Sequence, residues 1–235
     1  MEIITLRITN YKEKDGIIEG ITPKGVVSLL CRGIFDPKSK NAPLNNPLVI
    51  ADIETSEGKY KYPVIKSSML ISSPINPRAD LKYMAVLMLL NEVTNYLLSE
   101  EEKPLIYEFL KTTIEDLKKG TNPYKIAIIY LAKILKISGY DFGVNECVLC
   151  GSKKSIVTFS FSDGGFVCAN CYTPDIPRLF NKAQMFALRE AFLSPNTAIT
   201  HTEISDEELV FLLHKFKEFI HDSYGYTLKS LDLIN

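Results

Sequence analysis

Cysteine is scarce over most of this sequence: four of its five cysteines lie between residues 147 and 171, and the fifth, Cys31, stands alone. No apolar run reaches membrane-spanning length. The longest, "KYMAVLMLL" and "KIAIIYLAKIL", are too short and carry helical periodicity, which predicts core helices. The N-terminus, "MEIITLRITN", has no apolar h-region after a basic start, so no signal peptide is expected. Together these absences predict an intracellular, cytoplasmic chain with no membrane contact. Thiols stay reduced there, which disfavours a disulfide framework. Neither sign of charge dominates, with 27 Lys and Arg against 28 Asp and Glu. The sequence has no GxxxxGK[ST], no GxGxxG after a strand and no GxSxG. No histidine precedes either cysteine pair, so the zinc-deaminase pairing of H-x-E with P-C-x-x-C is missing too. Nothing in the sequence predicts an enzyme, and it holds no repeat or low-complexity segment.

What is present divides by texture. Residues 3 to 71 read as strands: "IITLRIT", "IIEGIT", "VVSLLCRGIF", "LVIADIETS" and "YKYPVIKSS". Asp15-Gly16, Pro23-Lys24-Gly25 and Glu57-Gly58 supply turn chemistry between them. Five strands with no intervening helix predict a small closed barrel, since closure removes sticky edges. An SH3-like barrel or a small sandwich fits the same pattern. "SPINPRAD" then marks a junction, so the chain is expected to comprise a barrel over 1–76 and a helical domain over 77–235. Asp80 can cap the next helix. Helices are predicted over 80–99, 104–118 and 124–138, the last ending at Gly139. After the cysteines, "NKAQMFALREAFL" and "SDEELVFLLHKFKEFIHDSYG" return to amphipathic helix, the second with a Ser205/Glu208 capping box.

The cysteines form two pairs, Cys147-x2-Cys150 and Cys168-x2-Cys171, with 17 residues between them. Two residues between cysteines let one tight turn aim both sulfurs at one point. Two such knuckles supply a tetrahedral thiolate shell. Gly151 follows the first knuckle, where a positive φ is often needed. "SIVTFSF" and "GGFV" flank Asp163-Gly164-Gly165 as a hairpin. This is a zinc-ribbon layout over about residues 145–175. Four thiolates leave no open coordination position, so the role is structural. A redox pair and an iron–sulfur cluster are the other chemistries open to such cysteines. Cys31 reads as a small buried hydrophobe.

Two further groups carry weaker signals. His214, Glu218 and His221 share one helix face, yet their spacing differs from HExxH and Lys215 and Lys217 lie beside them, which fits a solvated face. Charge is unevenly spread: residues 1–79 hold 11 Lys and Arg against 8 Asp and Glu, a net of +3, whereas residues 181–235 hold 5 against 8, a net of −3. The N-terminal third is therefore the best candidate to meet a polyanion. There Arg7, Lys24, Arg32, Lys38, Lys40, Lys59, Lys61 and Lys66 interleave with Tyr11, Phe35, Tyr60 and Tyr62. Such mixtures hold single strands, with cations for phosphates and aromatic faces for bases. They also suit an ordinary soluble barrel.

In their order along the chain these pieces resemble the bacterial DNA-repair RecO family. The matching residues are Glu13-Lys14-Asp15, "TPKG" at 22–25, Gly33 with Pro37-Lys38-Ser39-Lys40, and Ser138-Gly139-Tyr140. They continue with Cys147-x2-Cys150-Gly151, Gly164-Gly165, Cys168-x2-Cys171 and the closing "YTLKSLDLI". The resemblance implies an α+β fold: an N-terminal five-stranded OB-type β-barrel, then a helical C-terminal domain with an inserted four-cysteine zinc ribbon. It implies a nucleoid-associated recombination mediator without turnover. Such a protein binds single-stranded and double-stranded DNA, anneals complementary strands, works with RecR and recognises the tail of single-stranded-DNA-binding protein. Carried over by position, Lys24, Arg32, Lys38 and Lys40 become DNA contacts, and Cys147, Cys150, Cys168 and Cys171 ligands of a structural Zn2+. Phe35 and Asp36 stand where related loops carry more cations, which implies weak, strongly salt-sensitive binding.

Overall fold

The computed structural model describes residues 1–56, 61–76, 80–176, 180–194 and 203–234. Alternating apolar residues at the N-terminus set up β1 (Glu2–Asn10), β2 (Gly16–Thr22) and β3 (Gly25–Cys31) as an antiparallel meander. β4 (Ile50–Ser56) pairs antiparallel with β1 and with β5 (Val64–Ser72). A parallel Leu30↔Val64 contact then joins β3 to β5 and closes the barrel in the order β1-β2-β3-β5-β4. That closure and strand order settle the choice among barrel, SH3-like barrel and sandwich in favour of the OB-type barrel. Its interior holds Ile3, Ile18, Leu29, Val49, Ala51 and Ile53, all nearly inaccessible. β1 is bulged between Thr5 and Arg7, and the buried Thr5 hydroxyl donates to the Asn46 carbonyl (2.6 Å).

The turns differ from the simplest reading. Pro23-Lys24 is a two-residue hairpin loop, with Thr22 paired to Gly25. Asp15-Gly16 is not: residues 11–15 form the turn, and Gly16 already lies in β2. A Cβ on Gly16 would sit 2.9 Å from Ile34 Cγ2, so its role is close packing rather than turn geometry. The turn expected at Glu57-Gly58 falls outside the described residues, as do Lys59 and Tyr60.

Helices follow: α1 (Leu81–Tyr96), a 3-10 turn (Lys103–Ile106), α2 (Tyr107–Lys118) and α3 (Pro123–Ile137). The hairpin of β6 (Ile156–Ser160) and β7 (Gly165–Cys168) comes next, then α4 (Lys182–Leu193) and α5 (Asp206–Tyr224). Side-chain caps start the last three helices. Asn122 accepts from the backbone N–H groups of Tyr124 and Lys125, while Asn181/Gln184 and Ser205/Glu208 form full capping boxes. The caps also join one another. Asn122 donates to Asp206 (2.9 Å) and Asn181 to Glu208 (2.7 Å), so the N-termini of α3, α4 and α5 gather in one polar cluster.

The described chain divides into two compact units. One holds Met1–Asp80 with Thr94–Lys119, and the other Leu81–Val93 with Gly120–Asn235. The barrel therefore carries α2 with it. Glu2 accepts from the Tyr107 hydroxyl (2.6 Å) and Lys111 (2.6 Å), and the buried Lys103 lies 3.8 Å from Glu19. In the other unit, Glu92 of α1 accepts from the Tyr226 hydroxyl and from the N–H groups of Lys229 and Ser230, each at 2.9 Å. No helix among the described residues is long and apolar enough to cross a membrane.

Candidate metal centre and nucleic-acid interface

The four clustered cysteines converge. Their sulfur atoms lie within 4.8 Å of one another, and Cys150 Sγ and Cys168 Sγ are 3.7 Å apart. A tetrahedral shell at about 2.3 Å per Zn–S bond sets its sulfurs about 3.8 Å apart, so the thiols present fit such an ion. Each knuckle is a backbone turn. The Gly151 N–H donates to the Cys147 carbonyl (2.7 Å), and the N–H groups of Cys171 and Tyr172 donate to the Cys168 carbonyl (3.1 and 2.9 Å). Gly151 has φ 72°, the left-handed conformation expected after the first pair. A second glycine is forced by closeness: a Cβ on Gly165 would lie 2.2 Å from the Gly143 carbonyl oxygen.

Burial opposes ionisation of Cys147, yet the backbone N–H groups of Cys168, Leu149 and Cys150 outweigh it and bring the thiol down to about 6. The neighbouring thiol of Cys150, aided by burial, pushes Cys171 up to about 12. One thiolate is thus supported, and a second beside it is disfavoured in the absence of a cation.

The ribbon does not stand alone on its knuckles. Cys147, Cys168 and Val167 form a small core with Ile156 and Ile176 partly buried around it. On the hairpin, Phe159 and Phe161 enter an aromatic cluster with Phe142, Phe180, Phe192, Phe216 and Phe219, at centroid distances of 4.9 to 6.3 Å. The hairpin is therefore held at one end by the cysteines and at the other by stacked rings. No local pattern announces this second anchor, because its rings come from segments far apart in the chain.

The barrel cations are brought together only in part. Arg32, Lys38 and Lys40 lie exposed on the loop after β3. Lys24 lies in the turn before β3, so the length of that strand, about 20 Å or more, separates it from the other three. The register places the β1–β2 turn beside the loop instead, since Gly16 pairs with Cys31. The Phe35 N–H donates to the Lys14 carbonyl (3.1 Å), and the Gly33 N–H to Asp15 Oδ1 (2.9 Å). Lys12, Lys14 and Tyr11, all exposed, therefore join Arg32, Lys38 and Lys40 at one end of the barrel. The signal for them was the strand pairing itself, which no local motif carries. Phe35 and Asp36 also find a reason. Phe35 packs against the barrel core, while Asp36 pairs with Lys14 (3.0 Å) and accepts from the Lys38 N–H (3.0 Å). The Lys14 hydrogen bond, then that N–H, hold the Asp36 carboxyl below its ordinary range.

His214, Glu218 and His221 gather no metal site: among the described residues only the four cysteines come together as possible ligands. Glu218 pairs with Lys215 (2.6 Å), and His221 Nδ1 lies 2.9 Å from the Thr227 hydroxyl.

Comparison with known proteins gives one consistent result. Residues 78–232 match the family described as "Recombination protein O C terminal". The chain is 26% identical over 239 residues to a protein named DNA repair protein RecO of Bacillus pumilus (strain SAFR-032), covering 94% of this chain and 92% of that one. A protein of the same name from Bacillus subtilis (strain 168) is 27% identical over 193 residues, covering 81% and 75%. Its namesake from Halalkalibacterium halodurans is 25% identical over 244 residues, covering 97% and 91%. With a family match over most of its length, on a closed five-stranded barrel followed by helices and a four-cysteine cluster, this chain belongs to the RecO family.

Proposed function

We propose that this chain is a DNA-repair and recombination mediator. It binds single-stranded DNA, promotes annealing of complementary strands and, with RecR, helps load recombinase, without itself turning over a substrate. It also takes double-stranded DNA and the tail of single-stranded-DNA-binding protein as partners. The barrel of residues 1–76 serves as the DNA-holding module. The helical domain of 77–235 carries the ribbon of 145–175 with a structural Zn2+ on Cys147, Cys150, Cys168 and Cys171. The relatives' shared name, DNA repair protein RecO, supports this reading.

The observation that carries it is the barrel end where two loops meet. Lys12, Lys14, Arg32, Lys38 and Lys40 lie exposed there with Tyr11 and Glu13, and Lys12 Nζ is 5.7 Å from the Tyr11 ring centroid. Cations on a strand's phosphates displace condensed counterions, and an exposed ring offers a stacking face to bases. The carboxylate within the basic loop, Asp36, is already paired to Lys14, which limits its repulsion of a phosphate. Lys24, at the far end of β3, contacts only a strand that runs along the barrel.

Titrating a labelled single-stranded oligonucleotide at several salt concentrations tests the proposal. Replacing Lys38 and Lys40 together by glutamine is expected to weaken binding and to lower the slope of log affinity against log salt by about 1.4. An unchanged slope overturns the assignment of this surface.

A second reading, a protein–protein adaptor with incidental DNA contact, has one observation behind it. Met69, Leu70 and Ile71 of β5 are 63%, 47% and 46% exposed, a run of consecutive apolar side chains on a barrel strand. A gel shift with and without the partner protein separates the readings. The adaptor predicts that any shift with DNA alone at low salt is lost at moderate salt and is not restored by the partner.

A further inference from the structure

Residues 181–235 carry a net negative charge, yet a groove beside α4 draws its charge from cations alone. This groove of about 530 Å³ lies between the ribbon and α4. Ile156, Phe166, Met185 and Phe186 give it an apolar surface, and Lys153, Lys182 and Arg189 supply its charge. No carboxylate lines it among the described residues. We propose that this groove is a second single-strand contact, holding a nucleotide's base on Phe186 with the neighbouring phosphates on Lys182 and Arg189. The inference rests on the reading of the chain as a single-strand binder, and places a contact on the helical unit that the barrel does not supply.

The spacing argues for a strand rather than a peptide end. Lys182, Phe186 and Arg189 stand at i, i+4 and i+7 on α4, hence on one face. The helical rise sets them about 6 Å and about 4.5 Å apart along the axis, cation, ring, cation. A strand presents charge, base and charge in that alternation. A peptide's terminal carboxylate instead calls for cations converging on one point. Phe186 is 49% exposed, which leaves a ring face open to a base, and Lys182 Nζ lies 5.8 Å from its ring centroid. Arg189 is held in place: its Nε donates to the Val144 carbonyl and its terminal nitrogen to Asn145 Oδ1, each at 3.2 Å. That anchoring fixes the guanidinium at the groove's edge before any strand arrives, which lowers the ordering cost of binding.

The test uses the full-length chain and a single-stranded oligonucleotide carrying 5-iodouracil. Irradiation is expected to crosslink the peptide that contains Phe186. Phe186→Ala should weaken binding about fivefold or more with the salt slope unchanged. Lys182→Gln should lower the slope by about 0.7. These side chains are exposed, so the variants retain the fold, checked by circular dichroism. The proposal is overturned if no crosslink falls within residues 182–189 and all these variants bind as wild type while Lys38→Gln with Lys40→Gln loses affinity; the strand then rests on the barrel alone. It is equally overturned if an acidic peptide binds in a Phe186-dependent manner while oligonucleotide affinity ignores Phe186, which assigns the groove to a protein. A wild-type chain that binds no oligonucleotide at any ionic strength removes the single-strand reading itself.

Discussion

Cys31 and Cys147 are both buried, yet their thiols move in opposite directions. Burial, with the Asp15 carboxylate nearby, pushes Cys31 up to about 12, whereas donated N–H groups bring Cys147 down to about 6. Cys31 lies buried in the barrel core, in line with its reading as a small hydrophobe. A thiol reagent applied to the folded protein after chelation is expected to modify the four clustered cysteines and leave Cys31 unmodified until denaturant is added; early labelling of Cys31 by mass spectrometry contradicts this. Glu2 offers a titration test. Hydrogen bonds from Lys111 and then Tyr107 depress its carboxyl. Its folded value lies below its unfolded one, so the stability it adds is present above the ordinary glutamate value of about 4.3 and is lost as pH falls through the folded value. Urea midpoints measured from about pH 6 down to about pH 3 should fall for wild type and fall less for Glu2→Gln. Equal acid sensitivity removes the contribution. The convergence of the four cysteines was legible because their spacing is local. Lys12 and Lys14 were not, because only the pairing of β2 with β3 carries their turn to the loop after Cys31.

At the scale of elements, the same contrast holds. The Ser205/Glu208 box was legible, since a capping box spans four residues and needs no tertiary partner. Its links to Asn181 and the α3 cap were not, because they join helix starts far apart in sequence. The barrel's strands were legible by composition, but the parallel contact of Leu30 with Val64, which closes it, depends on a long-range register. The ribbon makes a prediction of its own. Native mass spectrometry should find one zinc per chain. Chelation should then expose backbone amides at the knuckles, Cys147–Gly151 and Cys168–Tyr172, to hydrogen exchange, while β1–β3 keep their protection. Because Phe159 and Phe161 are gripped by the aromatic cluster, the hairpin strands should lose less than the knuckles. A well-protected, metal-free ribbon contradicts the structural role.

For the whole molecule, composition suggested a break near residue 76, and the compact units run Met1–Asp80 with Thr94–Lys119 and Leu81–Val93 with Gly120–Asn235. The barrel's partners Lys103, Tyr107, Lys111 and Glu115 come from beyond that point: Glu115, for instance, accepts from the Ser72 hydroxyl. A fragment of residues 1–76 is therefore expected to melt at lower temperature and with less cooperativity than the barrel in the full chain, read by circular dichroism. A fragment melting like the intact protein shows that these contacts are dispensable. Helix α1 makes the division stranger still, since its first thirteen residues group with one unit and those from Thr94 onward with the other. A single cut in the gene of such a chain leaves at least one half without a stretch that its compact unit contains. Trading one unit between proteins would require moving two separate stretches of coding sequence at once.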